Sequence, residues 1–244
     1  MLSPLVKTPK RLFSRITTTD DTESTFISNT AHELRGPLAD IREQAEKLHS
    51  DDDKVRQRAL EQVFMNIDRC DRLAEQLLNL SRVESLPNQK LKDNKQGEKI
   101  NWEKIIWDEV AEQQNANSEK AMQIVLPDFN NTHFAGPAQN GNTALWQLLF
   151  RNLLDNAIRY SPAGSRIEIL LENEVLKITN ETCHLDEENL KRLGERFYRP
   201  AGQEERGSGL GLSIVSRVAA IHNCQISFSI EEDKRFSVTI ASLS

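Results

Sequence analysis

The chain has 244 residues, 38% of them hydrophobic and 28% charged, with a formal net charge of −6. That balance fits a soluble globular protein of one large or two ordinary domains, and an acidic sum gives no electrostatic footprint for nucleic acid. Cys70, Cys183 and Cys224 form neither a CxxC pair nor an even disulfide framework, so a reducing compartment is expected. No apolar run approaches the ~18 residues of a membrane helix. Nor are Lys7, Lys10 and Arg11 followed by the apolar stretch of a signal peptide.

In chain order, residues 24–49 carry an apolar stripe of Ile27, Ala31, Leu34, Leu38, Ile41, Ala45 and Leu48. Steps of four and three are a coiled-coil period. Asp51, Asp52 and Asp53 interrupt it. A second stripe then runs through Leu60, Val63, Phe64, Ile67, Cys70, Ala74, Leu77, Leu78 and Ser81. Two long helices on a short loop predict an antiparallel hairpin. One hairpin cannot close a core, so two copies are expected to pair as a four-helix bundle over residues 24–85. Leu86-Pro87-Asn88 ends the second helix, and the polar stretch 86–99 reads as a linker. Beyond it, helices are expected over 100–114, 143–160, 186–196 and 210–222, and strands over 122–126, 166–171, 175–179, 225–230 and 235–240. That rhythm predicts an α/β sandwich over 100–244, giving an α+β chain as a whole.

Three segments carry chemistry. His32-Glu33-Leu34-Arg35-Gly36-Pro37-Leu38 places His32 beside the first stripe, so its ring should face water. A carboxylate such as Glu33 near one ring nitrogen raises the nucleophilicity of the other. Gly36-Pro37 is locally wrong for a helix, costing about 1 and 3 kcal/mol, and predicts a bend past His32. The same segment also fits a solvated histidine near a tolerated kink. On the 143–160 helix, Asn152, Asn156 and Tyr160 recur every four residues and share a face, with Asp155 and Arg159 beside it. Amide oxygens suit a Mg²⁺ shell, Arg159 suits phosphate and Tyr160 a base, although a plain polar face fits too. Gly207-Ser208-Gly209-Leu210-Gly211-Leu212 leads into an apolar helix, where bare backbone N–H groups and the helix N-terminus favour phosphate. Alone, a glycine-rich turn is weak evidence. Ahead of it, Phe197-Tyr198-Arg199-Pro200 and the polar residues to Arg206 read as a lid.

Together, in this order, the segments resemble the histidine kinases of two-component systems. His32–Leu38 is similar to their H box, Asn152–Tyr160 to the N box, Phe197–Pro200 to the F box and Gly207–Leu212 to the G2 box. The wording RNLLDNAIRYSP, GERFYRP and GSGLGLSIV is most similar to QseC-like members. The resemblance implies a lead helix over residues 1–23, where Leu12-Phe13-Ser14-Arg15 is similar to the helix that leads from the family's HAMP linker, then a dimerisation and phosphotransfer hairpin followed by a Bergerat-type ATP-binding domain. It makes His32 the phospho-acceptor and Glu33 its base. Asn152, Asn156, Arg159, Tyr160, Asn180, Arg199, Gly207, Gly209, Leu210 and Gly211 would bind ATP, with Asn156 on Mg²⁺ and Tyr160 on adenine. The implied partners are a response regulator receiver domain and a second copy of the chain. Such kinases usually begin with membrane helices and a periplasmic sensor; neither is in this chain, which is expected to be cytoplasmic.

Two departures stand out. Where the family carries DxGxG, this chain has Asn180-Glu181-Thr182-Cys183-His184. Asn180 replaces the aspartate that accepts from the adenine amino group, and Thr182 and His184 fill both glycine positions. A tenfold to thousandfold weaker nucleotide affinity is expected, at about 1 to 4 kcal/mol. Cys183-His184 has no second ligand pair and predicts no metal site. Gly36 stands where the family often has Thr or Asn, which puts phosphatase activity in doubt. The altered loop leaves a second functional reading: a dimeric docking module that binds the regulator or a full-length kinase but holds ATP poorly. Other Bergerat ATPases are a third class, against which the H-box hairpin argues.

Overall fold

A computed structural model describes residues 7–86, 98–116, 120–130, 135–181, 185–200 and 207–243, with side chains from residue 25 onward and none for 115 and 116. The chain divides into two compact units, one up to Glu75 and one from Gln76.

The first unit is helical. Helix α1 spans Lys7–Lys47 and runs unbroken through Pro37, and α2 spans Asp53–Glu84. The aspartate loop is a capping device. Asp52 accepts the Lys54 N–H on Oδ1 at 2.8 Å, and the Arg56 side chain donates to the Ser50 carbonyl at 2.8 Å. Side chains that satisfy first-turn groups fix where a helix starts. The α1 helix extends well before the stripe that starts at Ile27. Backbone propagation adds a hydrogen bond per residue once a helix is nucleated, so it needs no apolar pattern.

The last turns of α2 belong to the second unit, where Leu80 and Val83 are buried. There β1 (Glu98–Lys99) pairs antiparallel with β3 (Asn140–Gly141), a two-residue ladder too short to read from periodicity. Helix α3 spans Trp102–Ala116, starting later than expected because Asn101 caps it, its Oδ1 accepting the Lys104 N–H at 3.0 Å. The main sheet runs β2-β4-β5-β7-β6. Its strands are β2 (Gln123–Val125), β4 (Arg166–Glu172), β5 (Val175–Asn180), β6 (Cys224–Ile230) and β7 (Phe236–Ser242). Among the described strands of this sheet only β2–β4 is a parallel pair.

In-register rows Ile167–Asn180–Phe236–Ile230 and Ile169–Ile178–Val238–Phe228 share one face, as period-two alternation requires. Against the core pack α3, α4 (Thr143–Tyr160) and α6 (Gly211–Ile221). Helix α4 buries Trp146, Leu149, Phe150, Leu153, Leu154, Ala157 and Ile158, a stripe at helical spacing. Burying a side chain of this size contributes roughly 1.5–3 kcal/mol. The short α5 (Glu187–Arg192) stops four residues before its expected end, because Leu193 leaves helical geometry and Gly194 takes φ +92. This helical region followed by a layered α/β unit is the α+β architecture expected from the sequence. Among the described residues no helix is long and apolar enough to cross a membrane.

Candidate functional site

In the first unit His32 lies exposed on α1. The neighbouring Glu33 is half-buried, and its carboxylate lies 3.9 Å from the Arg69 guanidinium on α2. Arg69 was not singled out from sequence, because it lies off the apolar stripe among many charges. Gly36 is exposed, with open space where a Cβ would project.

In the second unit the fold gathers the N-box face, Asn180 and the glycine turn. Asn142 caps α4 by accepting the Leu145 N–H at 3.2 Å, which fixes the helix phase. The inward stripe then leaves Asn152, Asn156 and Tyr160 half-buried on another face. Arg159 pairs with Asp155 at 2.8 Å. The glycine turn closes on this face. A Cβ on Gly211 would come within 3.2 Å of Asn152 Oδ1, and one on Gly207 within 2.8 Å of Tyr160 Oη. Gly209 has φ +71, and a Cβ there would meet the Phe197 backbone at 2.6 Å. No other residue type satisfies both conditions. Across that contact the Phe197 N–H donates to the Gly209 carbonyl at 3.0 Å, so the F box and the glycine turn are directly tied. Phe197 itself sits at φ +61, a strained position for an aromatic residue. Arg199 is half-buried two residues on, and Tyr198 donates its hydroxyl to Asn189 at 2.7 Å beneath the Arg192 guanidinium.

The turn ends at fully buried Leu210, whose N–H donates to Ser208 Oγ at 3.1 Å, and Leu210 itself offers the first turn of α6 no side-chain cap. Helix N-terminal N–H groups in that setting suit an anion. On the same unit Ser208 donates to Gln76 at 2.5 Å, Arg196 pairs with Glu84, and Arg217 donates to the Leu86 carbonyl at 2.5 Å.

Asn180 is buried at the end of β5, and both of its amide N–H groups are taken up. They donate to Ser161 Oγ at 3.0 Å and to the Glu181 carbonyl at 2.8 Å. Ser161 in turn donates to the Ala157 carbonyl at 2.5 Å. The substituted positions Thr182, Cys183 and His184 lie outside the described residues, as do residues 201–206. Lys120 and Ser161, which sequence reasoning passed over, also meet this end of α4. No periodicity marks a lone lysine ahead of a strand.

Both halves match known families. Residues 22–86 match the His Kinase A (phospho-acceptor) domain, and residues 141–243 match the histidine kinase-, DNA gyrase B- and HSP90-like ATPases. The chain belongs to the sensor histidine kinases of two-component systems. It is 40% identical over 244 residues to sensor protein QseC of Salmonella typhimurium, covering 98% of this chain and 51% of that protein. It is 33% identical over 218 residues to sensor protein kinase PmrB of Pseudomonas aeruginosa, covering 86% and 43%. The chain thus spans about half the length of the curated relatives it matches. Its fold is similar to that of histidine kinase ThkA, solved in complex with response regulator protein TrrA, with TM-score 0.69 and 16% identity over 98% of this chain and 66% of that one. It is also similar to Acinetobacter baumannii histidine kinase AdeS, with TM-score 0.58 and 22% identity over 86% and 95%. With both kinase families matched, the docking-only alternative is not favoured.

Proposed function

We propose that this chain transfers the γ-phosphoryl group of ATP to His32 and then to an aspartate of a response regulator receiver domain. The observation that carries the reading is the approach of Asn152 and Tyr160, on the α4 face they share with Asn156, to the Gly207–Gly211 turn at the start of α6. The open helix start receives phosphate through backbone N–H groups, and Arg159 and Arg199 add positive charge nearby. Tyr160 covers the base. Asn180, with both amide N–H groups engaged, keeps Oδ1 as the acceptor for an adenine amino group.

Magnesium fits this set. Among the described residues no cluster of three His, Cys, Asp or Glu could hold a metal. Mg²⁺ in such sites keeps several waters and phosphate oxygens, so the Asn156 amide oxygen suffices as a protein ligand. The ion would neutralise phosphate charge. In the transfer, a lone pair on one His32 ring nitrogen attacks the γ-phosphorus. The bond to the ADP oxygen breaks, and Glu33 takes the proton from the other ring nitrogen. The second transfer breaks that N–P bond as a regulator carboxylate attacks.

The chain works as a homodimer. Ile27, Leu38, Phe64 and Met65 are 62%, 55%, 59% and 60% exposed in one copy, an apolar surface that a second hairpin would cover. In a full-length protein of this family this portion would lie on the cytoplasmic side of the membrane. The test is to incubate the chain with labelled ATP and Mg²⁺, beside His32→Gln. Acid-labile label on the parent and none on the variant, with nucleotide binding equal in both, is the expected result. Label retained by the variant refutes the assignment of His32.

A further inference from the structure

The C-terminal end of α4 has an unusual cap. The last carbonyls of a helix have no partner within it and need one from outside. Ser161 Oγ serves the Ala157 carbonyl. The Lys120 ammonium, arriving from the chain just before β2, serves the next two. It donates to the Ile158 carbonyl at 3.0 Å, the Arg159 carbonyl at 2.8 Å and the Ser161 carbonyl at 3.4 Å. An ammonium has three N–H donors, and three carbonyls receive them. Its charge also opposes the negative end of the helix dipole. The backbone joins in, because the Lys120 carbonyl accepts the Gly164 N–H at 2.8 Å. One residue therefore clamps the start of β2, the end of α4 and the turn into β4. Ser161 carries the connection onward to Asn180 at the end of β5.

We infer that Lys120 is a positioning residue for the nucleotide site, holding the final turn of α4 so that Tyr160 and the Ser161–Asn180 pair stand in register with the glycine turn. This rests on the reading of that site as nucleotide-binding. Lys120 does not touch the nucleotide. It acts through carbonyls on either side of Tyr160, the residue that abuts Gly207. Without the clamp, the last turn of α4 loses the three bonds that the ammonium donates to its carbonyls and frays. Tyr160 and Asn180 then lose the fixed spacing that a planar base between them requires. The site is sensitive to such loosening because Asn180 is already uncharged.

The experiment uses the whole chain with ATP and Mg²⁺, read by calorimetric titration and by autophosphorylation at varied ATP. Lys120→Met is expected to raise the ATP dissociation constant and KM at least tenfold, with kcat at saturating ATP within threefold of the parent. Lys120→Arg, which keeps charge and donors, is expected to stay within threefold in affinity. Ile169→Val, a core change away from the clamp, controls for general loosening. Unchanged affinity in Lys120→Met overturns the inference, as does an equal loss in Ile169→Val. Should Lys120→Met fail to fold, Lys120→Gln, with two donors and no charge, takes its place under the same criteria. A parent chain that binds no ATP sinks the nucleotide reading itself and this inference with it, whereas a binding parent with an indifferent Lys120 sinks the inference alone.

Discussion

The two units differ in how completely each buries its apolar surface. In residues 25–75 the buried apolar side chains among those described are Pro37, Ala59 and Leu73, while the helical stripes stay largely exposed. In the second unit Trp146, Leu149, Phe150, Leu154, Ile167, Leu176 and Ile214 are all fully buried within one copy. The first unit is an unfinished core and the second a finished one. His32, outside the stripe, is exposed in the single chain, and the proposed pairing on the stripe would leave it in water. The second gains its rigidity from its own sheet, which suits a site assembled from α4, β5 and the start of α6.

The strongest way to break this comparison is inside the finished core. Trp146→Ala should destabilise the second unit by about 3–5 kcal/mol. Its calorimetric transition should move down sharply while the α1–α2 helical signal persists; a single shared transition would contradict the independence of the two cores. Next comes Phe64→Glu on the exposed stripe. It should raise the dimer dissociation constant at least ~100-fold, about 2.7 kcal/mol, as seen by light scattering. ATP affinity of the second unit should not change, and an unchanged dimer would show that another surface pairs.

A smaller effect concerns Asn180. Restoring the family aspartate removes two buried donors and sets a carboxylate against the Glu181 carbonyl. Asn180→Asp should therefore cost about 1–3 kcal/mol of second-unit stability. The returned charge should yield less than a tenfold gain in ATP affinity. A gain beyond tenfold without loss of thermal stability would show that Ser161 and Glu181 rearrange freely.

The smallest effect is a pH slope. Burial holds His222 below its ordinary value near 6.5, despite its bond to the Val218 carbonyl. It packs on the Trp146 ring at 4.5 Å, beside Gly141 and near the Cys224 thiol, whose own pKa burial pushes up to about 11. No carboxylate is in that contact set. A folded pKa below the unfolded one means that stability is intact above pH 6.5 and is lost as pH falls through 6.5 toward the folded value. The slope is at most about 1.4 kcal/mol per pH unit. Thermal midpoints of the parent and His222→Phe between pH 7.5 and 5 should converge at the acid end. Parallel curves would place the acid sensitivity elsewhere.

Much of this was legible in sequence because amphipathic period and side-chain chemistry coincide. The stripe from Trp146 to Ile158 dictates both where α4 lies and which face Asn152, Asn156 and Tyr160 can occupy, and its observed limits are those expected. The strands β4 to β7 show the same agreement within two residues. What escaped detection depends on contacts distant in sequence. Lys120 meets α4 some 38 residues later, and Arg69 meets Glu33 across the hairpin. Asn101 set the start of α3 two residues later by a capping bond, and Gly194 cut α5 by a backbone conformation, both of which override propensity at boundaries.

The strand order has a consequence for handling the protein. Among the described residues the sheet has two open borders, β2 and β6. Strand β2 pairs over three residues, too short to recruit another chain. Strand β6 runs seven residues as Cys-Gln-Ile-Ser-Phe-Ser-Ile, with neither a charge nor a proline. Such a border is a template for stray backbone pairing, and α6 and the short α5 are the helices that pack against it. Aggregation during refolding or concentration would therefore begin at β6, far along the chain from the exposed stripes through which we propose that two copies pair.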